Sequence, residues 1–403
     1  MSDSIRLKWL LSESDIRAGT KAETLPLLSV SISWGVRRRE ATDTTTRAAA
    51  EDLSNYKICR AGDLVINRMR AFQGALGIAP EDGIVSPDYA VLRVSPRIDT
   101  RWLEYFLASR STVATMASLV RGIGGTEAGN VRTPRLNIAD LLSMTAPLVS
   151  AGEQSIIADY LDHETACIDT LIEEQQRLIE MLSERRVATV AETLDGCERT
   201  QVRRLVNHDR PMTYGILQCG EPVDGGVVYI GPSDIQGEGL SPDRDALRTT
   251  APEIASAYKR SILKSGDVVV SIGPAYGKVA VVSDDLTGAN LTQDTVRVAL
   301  RPDLVDTRFF VWALLSRQTA EYWDYQIMGA TFRRLNLGTL ARTPIPLPAI
   351  QEQRRIAAYL DEQTAKIDSL IAETERFIDL ARERRSALIT AAVTGQIDVR
   401  EAA

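Results

Sequence analysis

Apolar residues recur at alternating steps of four and three along two long stretches of the chain. Ile168, Ile172, Ile179 and Leu182 mark the first stretch, with Gln175 at its third, central position. Ile367, Ile371 and Ile378 mark the second, with Thr374 and Ala381 completing it. Such spacing lines side chains along one helix face as a coiled-coil seam, here widened by Leu171, Leu178, Leu370 and Phe377. The first helix is predicted from about residue 165 to residue 193, roughly 43 Å at 1.5 Å per residue. Elsewhere the pattern is shorter and mixed. GDLVIN at Gly62 and GDVVVS at Gly266 open on a Gly-Asp turn and continue in β-branched residues, which predicts strands. TRWLEYFLASR from Thr100 and TRFFVWALLSR from Thr307 have helical spacing, and Asn137 and Asn336 are placed to cap short helices.

These paired observations belong to one duplication. The 44 residues from Glu153 and the 44 from Glu352 align without a gap at an offset of 199, with 21 identities, among them Asp169 with Asp368 and both ERR triplets. Looser matches continue upstream, so the chain is two versions of one unit of about 200 residues. Residues 1–150 and 198–345 form mixed α/β regions, and residues 151–197 and 346–403 form the repeat helices. The predicted fold class is α+β, with two mixed domains related by pseudo-two-fold symmetry and separated by an antiparallel two-helix coiled coil. The alternative is that each helix covers its own domain's core. The helix length slightly exceeds one DNA turn of about 34–36 Å, so modules spaced by it would read two separated half-sites.

Charge complicates that reading. The chain has a net charge of −7 and a pI near 5.2, whereas nucleic-acid binders are usually basic. The acid is concentrated, however. Residues 151–197 carry 3 Lys+Arg against 11 Asp+Glu, while residues 1–150 carry 19 against 16 and residues 198–345 carry 17 against 17. The mixed regions can therefore hold basic loops. No apolar run approaches the roughly 18 residues of a membrane span, and the N-terminal stretch lacks a signal-peptide plan, which predicts a cytoplasmic protein with no membrane partner. Cys59, Cys167, Cys197 and Cys219 form no CxxC pair, and there are two histidines, His163 and His208. No metal site and no catalytic residue is expected. GPAYGK at Gly273 is one residue short of a phosphate loop and lacks its Ser or Thr, and RGIGGTEAG at Arg121 follows a helix rather than a strand.

EQRRIAAYLDEQTAKIDSLI and ERRSALITAAVTGQIDV, with GDLVINRM and the twofold plan, resemble the specificity subunit of type I restriction-modification enzymes. The resemblance covers almost the whole chain. It implies two target-recognition domains, one for each half of a bipartite asymmetric site in double-stranded DNA, with the helices acting as a ruler. It also implies partners: two methylation (M) subunits carrying S-adenosylmethionine, and restriction (R) subunits using ATP and Mg. This chain itself would bind no cofactor and would be non-catalytic. Positions matched between the halves, such as Asp63 with Asp267, Arg101 with Arg308 and Arg135 with Arg334, suit scaffold or phosphate contact. Unmatched loop residues suit base reading. In the first domain these are Arg37, Arg38, Arg39, Arg68, Arg70, Gln73, Asn130 and Arg132. In the second they are Ser233, Gln236, Ser271, Tyr276, Lys278, Gln293 and Arg333. Phe72 and Tyr276 are expected to pack rather than stack on bases. The rival readings are a coiled-coil scaffold without a DNA role and a standalone DNA-modifying enzyme.

Overall fold

The computed structural model describes residues 4–32, 34–39, 52–122, 134–328 and 333–400. The chain divides into two compact units, Met1–Gln176 with Arg376–Ala403, and Arg177–Glu375.

In the first unit an antiparallel sheet runs in the order Leu11–Ser14, Tyr89–Val94, Leu64–Asn67, Leu76–Ile78. The Gly-Asp turn sets up its third strand. Gly62 takes φ +86°, a conformation costly for any residue with a Cβ, and the Asp63 carboxylate accepts the Arg60 N–H at 2.8 Å. Strand alternation then divides the buried residues between two cores. Leu64 and Ile66 join Trp102, Leu103 and Leu107 on one face, while Val65 joins Leu28, Val30 and Val85 on the other. Helix α1 (Thr100–Ala108) is capped by Asp99, α2 (Arg110–Ser118) by Ser109, and α3 (Ile138–Ser143) by Asn137, as its sequence predicts. The long helix α4 (Ala151–Thr193) follows.

The second unit repeats this order. Its main sheet runs Thr213–Tyr214, Thr295–Val298, Val268–Ser271, Val279–Val281. Gly266 has φ +82° and Asp267 accepts the Lys264 N–H at 2.8 Å, the same turn as at Gly62. A smaller sheet adds Thr249–Thr250, Val227–Ile230 and Asn290–Leu291. Helices α5 (Pro252–Ala257), α6 (Thr307–Leu315), α7 (Arg317–Ile327) and α8 (Leu337–Arg342) precede the long α9 (Ile350–Val393), with Asp306, Ser316 and Asn336 capping α6, α7 and α8. Phe309, Phe310, Trp312 and Trp323 fill the core.

Each long helix contributes to both units, and within each unit the two run antiparallel. In the first unit Ile157, Ala158 and Leu161 of α4 share a core with Ile389, Ala392 and Val393 of α9. In the second, Val190 of α4 and Leu194 just beyond it meet Ile356, Ala357 and Leu360. The ion pairs repeat too: Asp169 binds Arg385 at 2.9 Å in the first unit, and Arg186 binds Asp368 at 2.9 Å in the second. Adding 199 to 169 and 186 gives 368 and 385, so this is one contact made twice with the helices exchanging roles, as an isologous pairing requires.

Two expectations need correction. Helix α4 begins at Ala151, not near residue 165, because its first turns are anchored in the mixed domain rather than in the seam. Gln154, buried at 6% exposure, accepts the Asp99 N–H and donates to Val149 O, each at 2.8 Å; Gln353 does the same with Asp306 and Pro348 at 2.8 Å. The early turns thus cover their own domain's core and the later turns pair. The seam is also narrower than expected. Ile168, Ile367 and Ile378 are buried and Ile172, Ile179, Leu182 and Ile371 half-buried, but Leu171, Leu370 and Phe377 remain 44%, 50% and 45% exposed, with Leu178 half-buried.

Candidate nucleic-acid interface

Residues matched between the halves turn out to be locked into the scaffold. Arg101 donates to Asp159 and Asp162 of α4, each at 2.8 Å, and Arg308 donates to Asp361 of α9 at 2.7 Å and to Glu238 O at 2.8 Å. Tyr105 and Trp312 reinforce the same joints, each donating at 2.8 Å to Asp162 and Asp361 respectively. Arg135 binds Asp88 at 3.2 Å and Arg334 binds Asp294 at 3.0 Å, both pinning the segment before a short helix to the loop that enters an inner strand. These guanidinium groups are engaged by carboxylates, which leaves the variable loops to supply contacts.

In the first unit the loop after Leu64–Asn67 carries Arg68, Arg70 and Gln73. Arg70 and Gln73 are exposed. Arg68 is half-buried and donates to Leu136 O at 3.2 Å; burial first, and then the neighbouring Arg135, lower its proton affinity. Phe72 packs against the core, as expected. The Arg37–Arg39 cluster sits on the strand Gly35–Arg38 and its end. Arg37 lies over the Trp34 ring, its carbon 4.1 Å from the centroid, and Arg38 forms a bidentate pair with Glu81 at 2.8 and 2.7 Å. Tyr89, at the start of its strand, brings the two groups into relation. Burial pushes its phenol up, while the charges of Arg39 and Arg70 act in the opposite sense. Asn130 and Arg132 lie outside the described residues.

In the second unit four loops share one edge. Chain leaves that edge after Val227–Ile230, after Val268–Ser271 and after Asn290–Leu291, and the segment from Arg333 joins them where Leu335 N–H donates to Ile272 O at 3.0 Å. Lys278 donates from Nζ to Pro232 O at 3.2 Å, tying two loops together. Gln293 gives its carbonyl to Arg334 at 2.9 Å and its side chain is half-buried. Arg333 is exposed, 3.8 Å from Asp324. Tyr276 packs against the core and donates to Asp324, a bond that, more than burial, raises its pKa. Ser233 and Gln236 are exposed on the first loop. Ser271 is not available for reading. It is fully buried, and its hydroxyl donates to Ala275 O at 2.8 Å and accepts the Lys278 N–H at 2.9 Å, closing the hairpin that its sequence shared with phosphate loops. Arg248 also reaches this edge, although nothing in its local sequence marks it; a cross-strand backbone bond from Tyr229 N–H to Arg248 O at 3.1 Å brings it there.

Among the described residues, no group of three or more His, Cys, Asp or Glu could hold a metal ion, and no helix is long and apolar enough to cross a membrane.

Comparison with known proteins agrees with this geometry. Residues 222–376 match the type I restriction modification DNA specificity domain. The type I restriction enzyme EcoBI specificity subunit of Escherichia coli is 25% identical over 301 residues, 66% of this chain and 62% of that subunit. The MjaVIII specificity subunit of Methanocaldococcus jannaschii is 25% identical over 147 residues, 36% of this chain and 34% of its own length. The chain thus spans less than two thirds of each of these curated relatives. In fold it is similar to a chain solved in a study of assembly and conformational transition of the type I R-M system, with a TM-score of 0.74, 16% identity and 97% of both chains covered. It is also similar to the HsdS subunit from Thermoanaerobacter tengcongensis, with a TM-score of 0.59, 16% identity, and 98% and 97% covered. In matched domain, curated relatives and fold, this chain is similar to the specificity subunits of type I restriction-modification systems.

Proposed function

We propose that this chain is the DNA-recognition subunit of a type I restriction-modification complex. In this reading each unit reads one half of a bipartite, asymmetric site in double-stranded DNA, and the paired helices set the spacing. The observation that carries it is the contrast between the halves. Their scaffold contacts repeat residue for residue, at Asp63 and Asp267, Arg101 and Arg308, Arg135 and Arg334, whereas their loop residues differ. One scaffold with two different loop sets is what reading two different half-sites requires. Arg68, Arg70 and Gln73 are assigned to the first half-site, and Gln236, Lys278 and Arg333 to the second.

The helices supply a second part of the proposal. Leu171, Leu178 and Met181 correspond at the offset of 199 to Leu370, Phe377 and Leu380. Five of the six are exposed and Leu178 is half-buried. Residues spaced by seven and three form a second apolar stripe on each helix, and two equivalent stripes suit two copies of one partner, here the methylation subunits. Methyl transfer from S-adenosylmethionine and ATP-driven cutting with Mg belong to those partners, and this chain positions them.

The test is to titrate the chain with its methylation subunit against DNA at several salt concentrations, and to assay the pure chain with labelled methyl donor. Recognition predicts a steep salt dependence and a bipartite methylated motif from the complex. A flat salt response would favour a scaffold, and methyl transfer by the pure chain would favour a standalone enzyme.

A further inference from the structure

The cations of the second unit are not equivalent in how they are held. Arg210, Arg308 and Arg334 bind carboxylates at 2.6–3.0 Å, and buried Arg297 donates to the backbone carbonyls of Pro211, Arg260 and Ile262. Arg248 is different. Its guanidinium carbon lies 5.3 Å from the centroid of the buried Tyr229 ring, and its side chain is 53% exposed. The nearest carboxylate, Asp234, is 3.7 Å away, beyond hydrogen-bonding distance, and its Oδ2 already accepts the Gly231 N–H at 2.7 Å. Among the described residues no acceptor takes an N–H of Arg248 in a hydrogen bond.

Its position is nonetheless fixed. The cross-strand bond to Tyr229 sets its backbone, the guanidinium lies over the Tyr229 ring, and Asp234 supplies an opposite charge without consuming a donor. The point at which a Cβ on Gly231 would stand is 3.4 Å from both Nη2 of Arg248 and Cγ2 of Thr292, so the guanidinium rests where two of the edge loops meet. A planar fork that is oriented and carries unspent donors matches the O6 and N7 acceptors of guanine in the major groove.

We propose that Arg248 is a specificity-determining residue that reads a guanine in the half-site assigned to the second unit. This rests on the DNA-recognition reading above. Tyr229 acts as a positioning residue that keeps the fork in plane, and Asp234 keeps it from swinging toward solvent.

The experiment uses the full chain with its methylation subunit. The methylated motif of the wild type is determined first, and binding is then measured for duplexes with every base pair of both half-sites substituted singly. Arg248→Lys and Arg248→Met should each lose about ten- to a hundredfold discrimination at one G·C pair of one half-site and keep full discrimination in the other. The salt slope of Arg248→Lys should stay unchanged. Unaltered discrimination at every position would overturn the assignment. So would a uniform loss of affinity in Arg248→Met with the salt slope reduced by about 0.9, the mark of a phosphate contact. Intact reading of the other half-site reports folding, and if Arg248→Met does not fold, Arg248→Lys decides. A wild type with no bipartite motif would instead sink the recognition reading itself.

Discussion

Ending the chain at Ala387 should unfold the N-terminal mixed domain and spare the other. The segment removed supplies Ile389 at 6% exposure, Ala392 and Val393 at 1% and Val399 at 5% to a core otherwise built from residues before 162. Full burial of a large aliphatic side chain contributes about 1.5–3 kcal/mol, so three of them contribute about 5–9 kcal/mol before the alanine is counted. A domain of this size has a total stability of about 5–15 kcal/mol. Losing even about 5 kcal/mol raises the open fraction more than a thousandfold, at about 1.4 kcal/mol per tenfold change. Hydrogen–deuterium exchange read by peptide mass resolves the two units. Strands Leu64–Asn67 and Tyr89–Val94 should lose protection, while Val268–Ser271 and Thr295–Val298 keep theirs. Equal loss in both units, or protection retained in the first, would refute the claim that the chain's last helix completes its first domain.

Other outcomes follow from the same contacts. Inserting seven residues after Ile179 and seven after Ile378 keeps the seam in phase and lengthens each helix by about 10 Å, so the spacer in the methylated motif should grow by about three base pairs with both half-sites unchanged; a changed half-site with the old spacer would contradict the ruler. Arg297→Met leaves the carbonyls of Pro211, Arg260 and Ile262 without their buried donor and should cost about 3 kcal/mol, seen as a lower unfolding midpoint; an unchanged midpoint would show that the clip contributes nothing. At pH 8 a maleimide should modify exposed Cys167 rapidly and leave Cys59 untouched, because Cys59 is fully buried and burial, aided by Asp63, pushes its thiol up to about 11. Equal labelling of the two would mean that the second core of the first unit opens readily.

Much of the architecture is legible in the sequence because the chain states it twice. A lone GDLVIN is a weak strand signal, but its recurrence as GDVVVS with the same left-handed glycine and the same carboxylate cap shows a turn under backbone constraint. The caps at Asn137 and Asn336 are local chemistry and read directly. What escapes the sequence depends on partners distant along the chain. A helix with two apolar stripes does not reveal which one faces its neighbour, so Leu171, Leu370 and Phe377 read as seam although they stay exposed. Polarity alone does not separate a hydroxyl that closes a hairpin, as at Ser271, from one offered to a ligand. Arg248 is silent because only pairing with Tyr229, 19 positions earlier, carries it to the loops. A cross-strand Tyr–Arg pair beside a Gly-Pro loop is the signal that could have found it.

The central claim is that two loop sets on one repeated scaffold read two separate half-sites. Methylome sequencing of cells expressing the methylation subunit with the wild-type chain, with Arg68→Ala/Arg70→Ala, or with Lys278→Ala/Arg333→Ala tests it most directly. The account predicts an interrupted asymmetric motif in which each double variant degrades recognition of a different half and leaves the other half and the spacer intact. A continuous motif, or loss of the same bases in both variants, would contradict it.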